Sequence, residues 1–566
     1  MYLGIDLGTT NSVVSRAFAD VNDRLVTEVV RIGQFDKYDN WEENQKLPSM
    51  VYFAPDELII VGDKAKYMRD EDREHVVTNA KRFMGTHHTW EIDGKTYEAK
   101  DIGAIVLQHC KNEIDNRGNM RYETVVITVP ASFTPAQTED TIAAAVKAGF
   151  RKEQVIIKHE PTAALLSYID EQSQRQESDR EADFSTKKRV LVFDIGGGTC
   201  DTSIIDVVIN NRKIQFEELG IGRYTELGGI DFDARLAGKL LNEFFEDYGI
   251  LEGELTAEEK DQMYRRLLLG AETIKEQLTA RINIKRLNDP DIDPNTVEAR
   301  HNIPDFYNNR PYNLTLTKQA YDEYTKELYI DKKIQSRKFE DADRNKNIIS
   351  IVRETLEQYE IDKDSIDYVF MTGGMSKFPT VQEKIKEYID KPVLRPEDPM
   401  NAVAKGAAVY PFYDPTVITL SDEVLEQQAI DQSIEMRDRM MLAEAVMLNV
   451  SEGLPRVIIP RGTTVPYSGE LRGAFRTASP SGVNINIYSG NSEYDSSMRI
   501  QQTLKQKFNV PVSPGTPFDI KYTIDENKVI RMSIIIDDGV REPQELALSI
   551  YGGGAKEQTY NIAKND

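Results

Sequence analysis

Short apolar runs that end at an aspartate and then enter a glycine-rich turn form the most regular pattern in the chain. Residues 2–5 form one such run and lead to Asp6, and residues 190–193 form another and lead to Asp194. Each turn carries a threonine directly after its glycines. An apolar run bounded by glycine is typical of a buried strand. We therefore predict two strand–turn units of the same construction, far apart in the sequence.

A strand followed by a helix lies between the two turns. The β-branched run at 124–129 predicts a buried strand that stops at Pro130. Thr134 has the features of a helix N-cap, because a proline follows it and Gln137 stands three positions later. Another apolar run at 155–159 completes the order strand, helix, strand. This order predicts an α/β unit with parallel pairing of its strands.

The pattern changes twice beyond the second turn. It becomes mainly helical over about 230–349, and from 444 onwards apolar and polar residues alternate. Alternation interrupted by proline and glycine turns predicts a β-sandwich. An acidic helix candidate at 421–437 separates the two regions. We therefore predict an N-terminal domain at 1–410, a connecting segment at 411–443 and a β-domain at 444–566.

The net charge, the lengths of the apolar runs and the cysteine count indicate which partners and compartment to expect. The 566 residues carry a formal net charge of −24, which would repel the phosphate backbone of a nucleic acid. No apolar run approaches the roughly 20 residues that cross a bilayer, and the chain enters a strand at once, so we expect no signal peptide. Cys110 and Cys200 are its only cysteines, which suits a reducing compartment. We predict a cytoplasmic protein that binds neither nucleic acid nor membranes.

The two glycine-rich turns suit the binding of a nucleotide. Glycines let main-chain N–H groups approach phosphate oxygens closely, and the threonine hydroxyls add further donors. An aspartate at the strand end would repel a bare phosphate. Asp6 and Asp194 therefore require a cation or its hydrating water between them and the ligand. Two such turns predict a duplicated domain that closes on one nucleotide from both sides.

Several motifs follow one another in a recognisable order. They are GIDLGTTNS at 4–12, EPTAA at 160–164, DIGGGTCD at 194–201, LGGIDFD at 227–233, TGG at 372–374 and GAAV at 406–409. Together they resemble the ATPase domain of the DnaK-type chaperones, the heat-shock protein 70 family. The β-rich region is similar to the peptide-binding domain of that family at GTTVP, 462–466, and at AFRT, 474–477. The resemblance implies an α/β actin-like ATPase with two lobes and a duplicated α/β domain, followed by an all-β sandwich substrate-binding domain.

The same resemblance implies the site residues. It implies ATP or ADP with Mg²⁺ in the cleft, and K⁺ as a further cofactor. Catalytic roles are implied for Asp6, Lys81, Glu160, Asp194 and Thr199. The nucleotide would contact Gly8, Thr9, Thr10, Asn11, Gly196, Gly197, Gly198, Thr199, Gly228, Gly229, Glu272, Lys275, Thr279, Gly373, Gly374 and Lys377. The metal would be held through water by Asp6, Asp194 and Asp201.

The chain also departs from the family pattern. His159 replaces an asparagine before Glu160, and the first turn of the β-domain is shortened at 452–456. We expect no counterpart of the family's helical lid, so a bound segment should leave faster. Positions that line the peptide pocket in the family are still matched by Phe475, Ala478 and Val483.

Two functions from different classes fit these features. The first is an ATP-hydrolysing chaperone-like protein, since phosphoryl transfer needs positioning and charge neutralisation more than a covalent nucleophile. Its β-domain would bind unfolded or extended polypeptide by strand addition and apolar pockets, with a J-domain co-chaperone and a nucleotide exchange factor as partners. The second is a nucleotide-gated module for one dedicated partner. A metabolite kinase of the same superfamily is disfavoured, because such a kinase has no place for the β-domain.

Overall fold

A computed structural model describes most of the chain. The described residues run from 1 to 564, apart from 22–23, 119–120, 211–212, 223–224, 226, 251–253, 309, 331–346, 415–439, 451–453, 496–497, 540–541 and 549–557. The acidic helix predicted at 421–437 therefore lies outside the described residues, as does part of the shortened turn at 452–456.

The helix predicted to begin after Thr134 is present and has a side-chain cap. The Thr134 side chain accepts the amide of Gln137, whose own side chain accepts the Thr134 amide, so the predicted helix start is confirmed. The α-helices of the described residues are α1 (Asp63–Glu71), α2 (Ala99–Asn116), α3 (Pro135–Lys147), α4 (Glu160–Ser173), α5 (Gly229–Tyr248), α6 (Ala257–Asn288), α7 (Lys318–Thr325), α8 (Ile348–Gln358), α9 (Pro379–Ile389) and α10 (Ala402–Tyr413). Within the described part of the chain, no helix combines the length and the apolar character needed to cross a membrane.

Strands form at the apolar runs predicted before the glycine-rich turns and at 124–129 and 155–159, and further strands form elsewhere. Those of the first 400 residues are β1 (Tyr2–Asp6), β2 (Asn11–Ala19), β3 (Leu25–Val30), β4 (Ile32–Phe35), β5 (Trp41–Asn44), β6 (Leu47–Pro48), β7 (Val51–Phe53), β8 (Ile59–Val61), β9 (Val76–Val77), β10 (Thr89–Ile92), β11 (Lys95–Glu98), β12 (Thr124–Val129), β13 (Val155–His159), β14 (Lys188–Ile195), β15 (Cys200–Asn210), β16 (Lys213–Ile221), β17 (Glu298–Tyr307), β18 (Arg310–Thr317), β19 (Tyr368–Thr372) and β20 (Val393–Leu394). The strands predicted before each glycine-rich turn are confirmed as β1 and β14.

The chain divides into two compact units. The first unit comprises Met1–Arg189, Ser203–Ile221 and Pro396–Asp566, and the second comprises Val190–Thr202 and Gly222–Arg395. The first glycine-rich turn belongs to the first unit, and the second turn belongs to the second unit. Each unit therefore combines segments from distant parts of the chain.

A mixed sheet lies at the centre of the first unit. Its strand order is β13–β12–β1–β2–β3, with β6 paired to β2. β12 runs parallel to both β1 and β13, which confirms the parallel pairing predicted from the order of elements. Buried side chains such as Ile5 of β1, Ile105 of α2 and Ala144 of α3 form the core against this sheet. Asp6 ends β1 and Glu160 directly follows β13, so two of the predicted catalytic residues lie at the ends of these strands.

The C-terminal region forms a β-module in which two antiparallel sheets share one core. Its strands are β21 (Ala445–Asn449), β22 (Arg456–Ile459), β23 (Tyr467–Arg476), β24 (Gly482–Gly490), β25 (Arg499–Lys507), β26 (Pro517–Ile524), β27 (Ile530–Ile536) and β28 (Gln544–Leu548). The sheet orders are β22–β21–β24–β25 and β23–β26–β27–β28. Met440 and Leu442 of the predicted connecting segment are buried in this core. The Leu442 amide donates to the Thr463 carbonyl at 3.0 Å, so these residues pack with the sandwich.

A short C-terminal tail, residues 558–563, packs on the first unit's N-terminal sheet region. The Ile59 amide donates to the Asn561 carbonyl and the Ala563 amide to the Ile59 carbonyl, each at 2.8 Å. Tyr560 is 8% exposed and belongs to the same core as β1 and α2. Gln108 accepts the Tyr560 amide at 2.8 Å. The tail therefore extends an N-terminal sheet and closes part of its core.

Parallel pairing also organises the second unit. β14 from Val190 onwards pairs with β19, and β19 pairs with β20. Helices α5 and α6 agree with the helical prediction for 230–349, but the same interval contains the hairpin β17–β18. Ala299 and Ile303 of this hairpin are buried, and β17 packs on α6. Packing on a helix thus stabilises strands in a segment whose overall pattern is helical.

We expect Tyr560→Ala to release the C-terminal tail, because the substitution removes a buried aromatic side chain and costs about 3 kcal/mol. Hydrogen exchange of the Ile59 amide, which the tail protects, should then accelerate strongly. Tyr494→Ala is the matched control, since Tyr494 is 79% exposed. Unchanged exchange at Ile59 in Tyr560→Ala would contradict this role of the tail.

Candidate functional site

The first glycine-rich turn connects β1 to β2 in the first unit. The two strands are antiparallel, with Asp6 opposite Val13, so the residues between them turn tightly. A Cβ at Gly8 would lie 2.0 Å from the carbonyl oxygen of Asn11, so only glycine fits there. The Ser49 amide donates to the Thr10 carbonyl at 2.8 Å and fixes the turn from outside. Asp6, Gly8, Thr9, Thr10 and Asn11 are thus held at one edge of the sheet.

Lys81 and Glu160 meet beside this turn. Lys81 lies in a short 3-10 helix, and Glu160 is the first residue of α4, directly after β13. The Nζ atom of Lys81 lies 2.5 Å from Oε1 of Glu160, and Lys81 is only 7% exposed. Lys81, Gly8 and Thr9 line one small cavity. The structure therefore brings together the catalytic residues predicted in this unit.

Asp6 lies in the field of this ion pair. Burial and, to a smaller extent, the negative charge of Glu160 raise the pKa of its carboxyl to about 7, although the positive charge of Lys81 opposes this shift. The aspartate is therefore incompletely compensated by the protein alone. A divalent cation or its hydrating water near Asp6 would supply the missing positive charge.

The second glycine-rich turn follows β14 in the second unit. The Gly196 amide donates to the Thr199 carbonyl at 2.9 Å and closes the turn. Residues of the 227–233 motif pack against it, because the Gly229 amide donates to the Gly196 carbonyl at 3.0 Å. Two predicted contacts of the nucleotide, Gly196–Thr199 and Gly228–Gly229, therefore lie side by side.

Gly373 places the TGG motif against the same turn. Its φ is +84°, and a Cβ there would lie 2.4 Å from Oδ1 of Asp194. Any larger residue would displace the aspartate, so glycine is required by both conformation and space. Gly374 and Lys377 bound the short 3-10 helix that follows. Asp201 is buried in β15, a few residues beyond the turn.

Lys275 joins α6 to the second turn. Its Nζ atom lies 2.5 Å from Oδ2 of Asp233 and donates to the Gly229 carbonyl at 3.2 Å. Burial raises the pKa of Asp233 to about 6, Lys275 lowers it, and the neighbouring Glu272 raises it. The Thr279 hydroxyl donates to the Lys275 carbonyl within the helix. Glu272, Lys275 and Thr279 thus share a helix that contacts the glycine-rich region.

Sequence reasoning missed a buried carboxylate, Glu218, next to the first site. Nδ1 of His159 lies 2.6 Å from Glu218 Oε1, and the Thr162 hydroxyl donates to the same oxygen at 3.3 Å. The Met441 amide donates to the other oxygen at 2.9 Å. The replacement of asparagine by His159 was the available signal, because a histidine beside Glu160 suggests a new polar partner. Glu218 itself lies in an otherwise ordinary strand pattern.

The likeness to known proteins extends over nearly the whole chain. A family model described as Hsp70 protein matches residues 2–299 and 311–545. The chain belongs to the Hsp70 family. It is 28% identical over 554 residues to the chaperone protein DnaK of Thermosipho africanus (strain TCF52B), covering 97% of this chain and 79% of that protein. The chaperone protein DnaK of Thermosipho melanesiensis (strain DSM 12029 / CIP 104789 / BI429) is 27% identical over 554 residues, with 97% and 80% covered.

As an Hsp70 protein, the chain has an actin-like α/β ATPase fold followed by a β-sandwich substrate-binding domain. Hsp70 proteins are ATPases that bind ATP or ADP with Mg²⁺. The residues of this chain fit that group, because the turn at Gly8 is too tight for any side chain and the buried Asp6 is short of positive charge. Among the described residues, no group of three or more His, Cys, Asp or Glu side chains is placed to hold a metal ion directly.

The peptide positions predicted in this Hsp70 chain are not equivalent in exposure. Phe475 is half-buried, and its ring stacks on that of Phe518 with 5.9 Å between centroids. Val483 is buried in the sandwich core, whereas Ala478 is exposed. Phe475 and Val483 contribute to one core, and Ala478 lies at its surface.

We expect binding of Mg²⁺–ADP to release a proton near neutral pH, because Asp6 is protonated below about pH 7 and the cation favours its carboxylate. Affinity should therefore rise between pH 6 and pH 8, a window set by that pKa of about 7. Calorimetry in two buffers of different ionisation enthalpy measures the proton count.

Asp6→Asn should abolish this proton release, whereas Asp56→Asn, at an exposed loop of the same unit, should preserve it. Equal proton release by the wild type and by Asp6→Asn would exclude Asp6 as its source.

Proposed function

We propose that this Hsp70 protein is an ATP-dependent chaperone-like protein. ATP binding and hydrolysis in the region 1–410 would regulate the binding of unfolded or extended polypeptide by the β-domain at 444–566, with 411–443 as the connection. The observation that carries the proposal is the buried Lys81–Glu160 pair beside Asp6 and the first glycine-rich turn. The names of the relatives, chaperone protein DnaK, support the same activity.

Lys81 is the residue best placed to neutralise charge on the transferred phosphoryl group. Lys81 is buried and lines a cavity that Thr9 also lines, so the field of its charge is stronger there than in water. Glu160 holds this ammonium in place and has a second carboxylate oxygen with which to orient the attacking water. Mg²⁺, when bound, would neutralise the phosphate oxygens and polarise the terminal phosphoryl group.

The second turn would contact a nucleotide through residues of the second unit. We assign phosphate contacts to Gly196–Thr199, a further nucleotide contact to Gly228, and water-mediated metal contacts to Asp194 and Asp201. Gly229, Gly373 and Gly374 would contact the adenosine. Glu272, Lys275, Thr279 and Lys377 would contact its ribose and base. The ion pair of Lys275 with Asp233 supports this assignment, because it fixes the lysine beside the turn.

The β-domain would bind an extended segment by strand addition. The half-buried ring of Phe475 is the best-placed apolar contact, with the exposed Ala478 beside the same strand. A J-domain co-chaperone, a nucleotide exchange factor, K⁺ as a further ion and a cytoplasmic location belong to this proposal. They follow from the family to which the chain belongs.

A dedicated partner in place of many clients is the second candidate. The burial of Val483 favours it, because a side chain packed in the sandwich core is not available to varied peptides. A peptide array separates the two candidates. Broad binding of short apolar segments is expected of the chaperone, whereas silence on the array and one protein retained from lysate in an ATP-dependent manner would favour the dedicated module.

We expect Lys81→Met to lower kcat for phosphate release at least about 100-fold, because it removes a preorganised charge from the transition state. ADP affinity should change little, which calorimetry can measure. Lys95→Met is the matched control, since Lys95 is exposed on β11. If Lys81→Met hydrolysed ATP as fast as the wild type, the proposed role of Lys81 in phosphoryl transfer would be wrong.

A further inference from the structure

The C-terminal tail lies on a surface that has the features of a peptide-binding site. We name this surface the tail seat, and its residues are Ile59 of β8, Asp101 and Gln108 of α2, and Lys147 at the end of α3. Ile59 and Ile562 pair in parallel, so the tail extends the sheet β8–β7–β9 at its β8 edge. The family model matches the chain only as far as residue 545. The tail is therefore a feature of this chain and not of the family model.

The tail is held largely through its main chain. The Gln558 amide donates to the Lys147 carbonyl at 2.9 Å. The side chain of Gln108 accepts the Tyr560 amide and donates to the Gln558 carbonyl, each at 2.8 Å. Main-chain bonds of this kind provide affinity in strand addition and do not depend on the side chains of the added strand.

Gln108 indicates that the tail seat is built to hold an extended main chain. The residue is only 6% exposed, and both ends of its side-chain amide bond the tail. Both main-chain groups of Ile59 also pair with the tail. Buried polar groups that lose their partners carry a large desolvation cost. The tail seat therefore favours the presence of some extended segment.

The side chains of the tail alternate as in a half-buried strand. Tyr560 is buried and Ile562 packs against the same core, whereas Asn561 between them is exposed. The Tyr560 hydroxyl also donates to Asp101 at 3.5 Å. Alternation of this kind gives an added strand its specificity. The tail seat thus fits an aromatic residue followed, two positions later, by an aliphatic residue.

The tail itself is a readily displaced occupant. Of its described residues 558–564, only Tyr560 is buried. Little apolar area therefore opposes the conformational entropy that ordering the tail costs. Segments with few buried contacts open more easily than the core of a domain. We expect the tail seat to open without unfolding of the first unit.

We propose that the tail seat is a polypeptide-binding site separate from the β-domain. Its ligand is an extended segment of another protein in which an aromatic residue precedes an aliphatic one by two positions. The tail occupies the site until such a segment displaces it, adds to β8 as a parallel strand and bonds Gln108 through its main chain. This role needs neither ATP turnover nor the β-domain, so it stands whether or not the proposed function does.

A second copy of the chain is a poorer occupant. The tail of that copy makes the same contacts in its own seat, where its tether gives it a high effective concentration. Exchange of tails between copies therefore gains no contact. A segment of another protein can add contacts beyond the seat and so overcome the tethered tail.

A labelled peptide of residues 558–563 with both ends capped is the probe for this site. We expect it to bind a variant that lacks residues 558–566 at least about tenfold more tightly than it binds the wild type, because the tethered tail competes in the wild type. Fluorescence anisotropy measures both affinities. The bound peptide should also restore slow hydrogen exchange of the Ile59 amide. Failure of the peptide to bind the shortened chain would overturn the inference.

Variants of the seat and of the peptide test the contacts. In the shortened chain, Gln108→Ala should weaken peptide binding about tenfold, because it removes two hydrogen bonds. Asn112→Ala is the matched control, since Asn112 is exposed on the same helix. A peptide with Tyr560→Ala should lose binding, whereas one with Asn561→Ser should keep it. Equal binding by the peptide with Tyr560→Ala would exclude the proposed class of ligand.

The full-length chain provides the same test if the shortened chain does not fold. Tyr560→Ala weakens the resident tail, so this variant should bind the wild-type peptide more tightly than the wild-type chain does. Equal binding by the two chains would contradict displacement of the tail. Light scattering identifies the other occupant. A wild-type dimer that is lost on removal of residues 558–566 would show that a second copy fills the seat, and the assignment to another protein would be wrong.

Discussion

A charge enclosed in an apolar interior must be compensated where it lies, and this requirement organises the first unit. An uncompensated ion in such surroundings costs several kcal/mol, so each buried charge draws partners from other segments of the chain. Lys81 is held by Glu160, and Glu218 is held by His159 and by the amide of Met441. Charged and polar contacts therefore connect the candidate site to the segments around it, in addition to apolar packing.

Two buried carboxylates of this unit have opposite pKa shifts, because their surroundings differ. Asp6 has its pKa raised, because burial and the nearby Glu160 outweigh Lys81. Glu218 has its pKa lowered, because its partners outweigh burial. The first group is short of positive charge and is suited to a cation, whereas the second is already satisfied. A buried carboxyl group is thus suited to cation binding at Asp6 and connects separate segments of the fold at Glu218.

Within the first unit, apolar packing also joins the β-module to the N-terminal sheet region. Val529 packs against the core of β1 and α2, one residue after the buried Lys528, and Tyr560 of the C-terminal tail completes that core. Polar and apolar contacts therefore occur at one surface. Neither the turn at Val529 nor the C-terminal tail has an unusual composition. Their part in this core depends on the residues that they contact.

Local sequence was sufficient for the strands before each glycine-rich turn, the capped helix at Thr134, the alternating strands of the β-module and the motifs that carry the family. These features depend on periodicity, helix caps and turn-forming residues within short stretches of sequence. They can therefore be predicted from the local sequence. Tertiary structure decided the pairing of Lys81 with Glu160, the raised pKa of Asp6, the hairpin β17–β18 and the burial of Glu218 beside His159. They depend on burial and on the distance between charges from segments far apart in the chain, and neither quantity exists until the chain has folded.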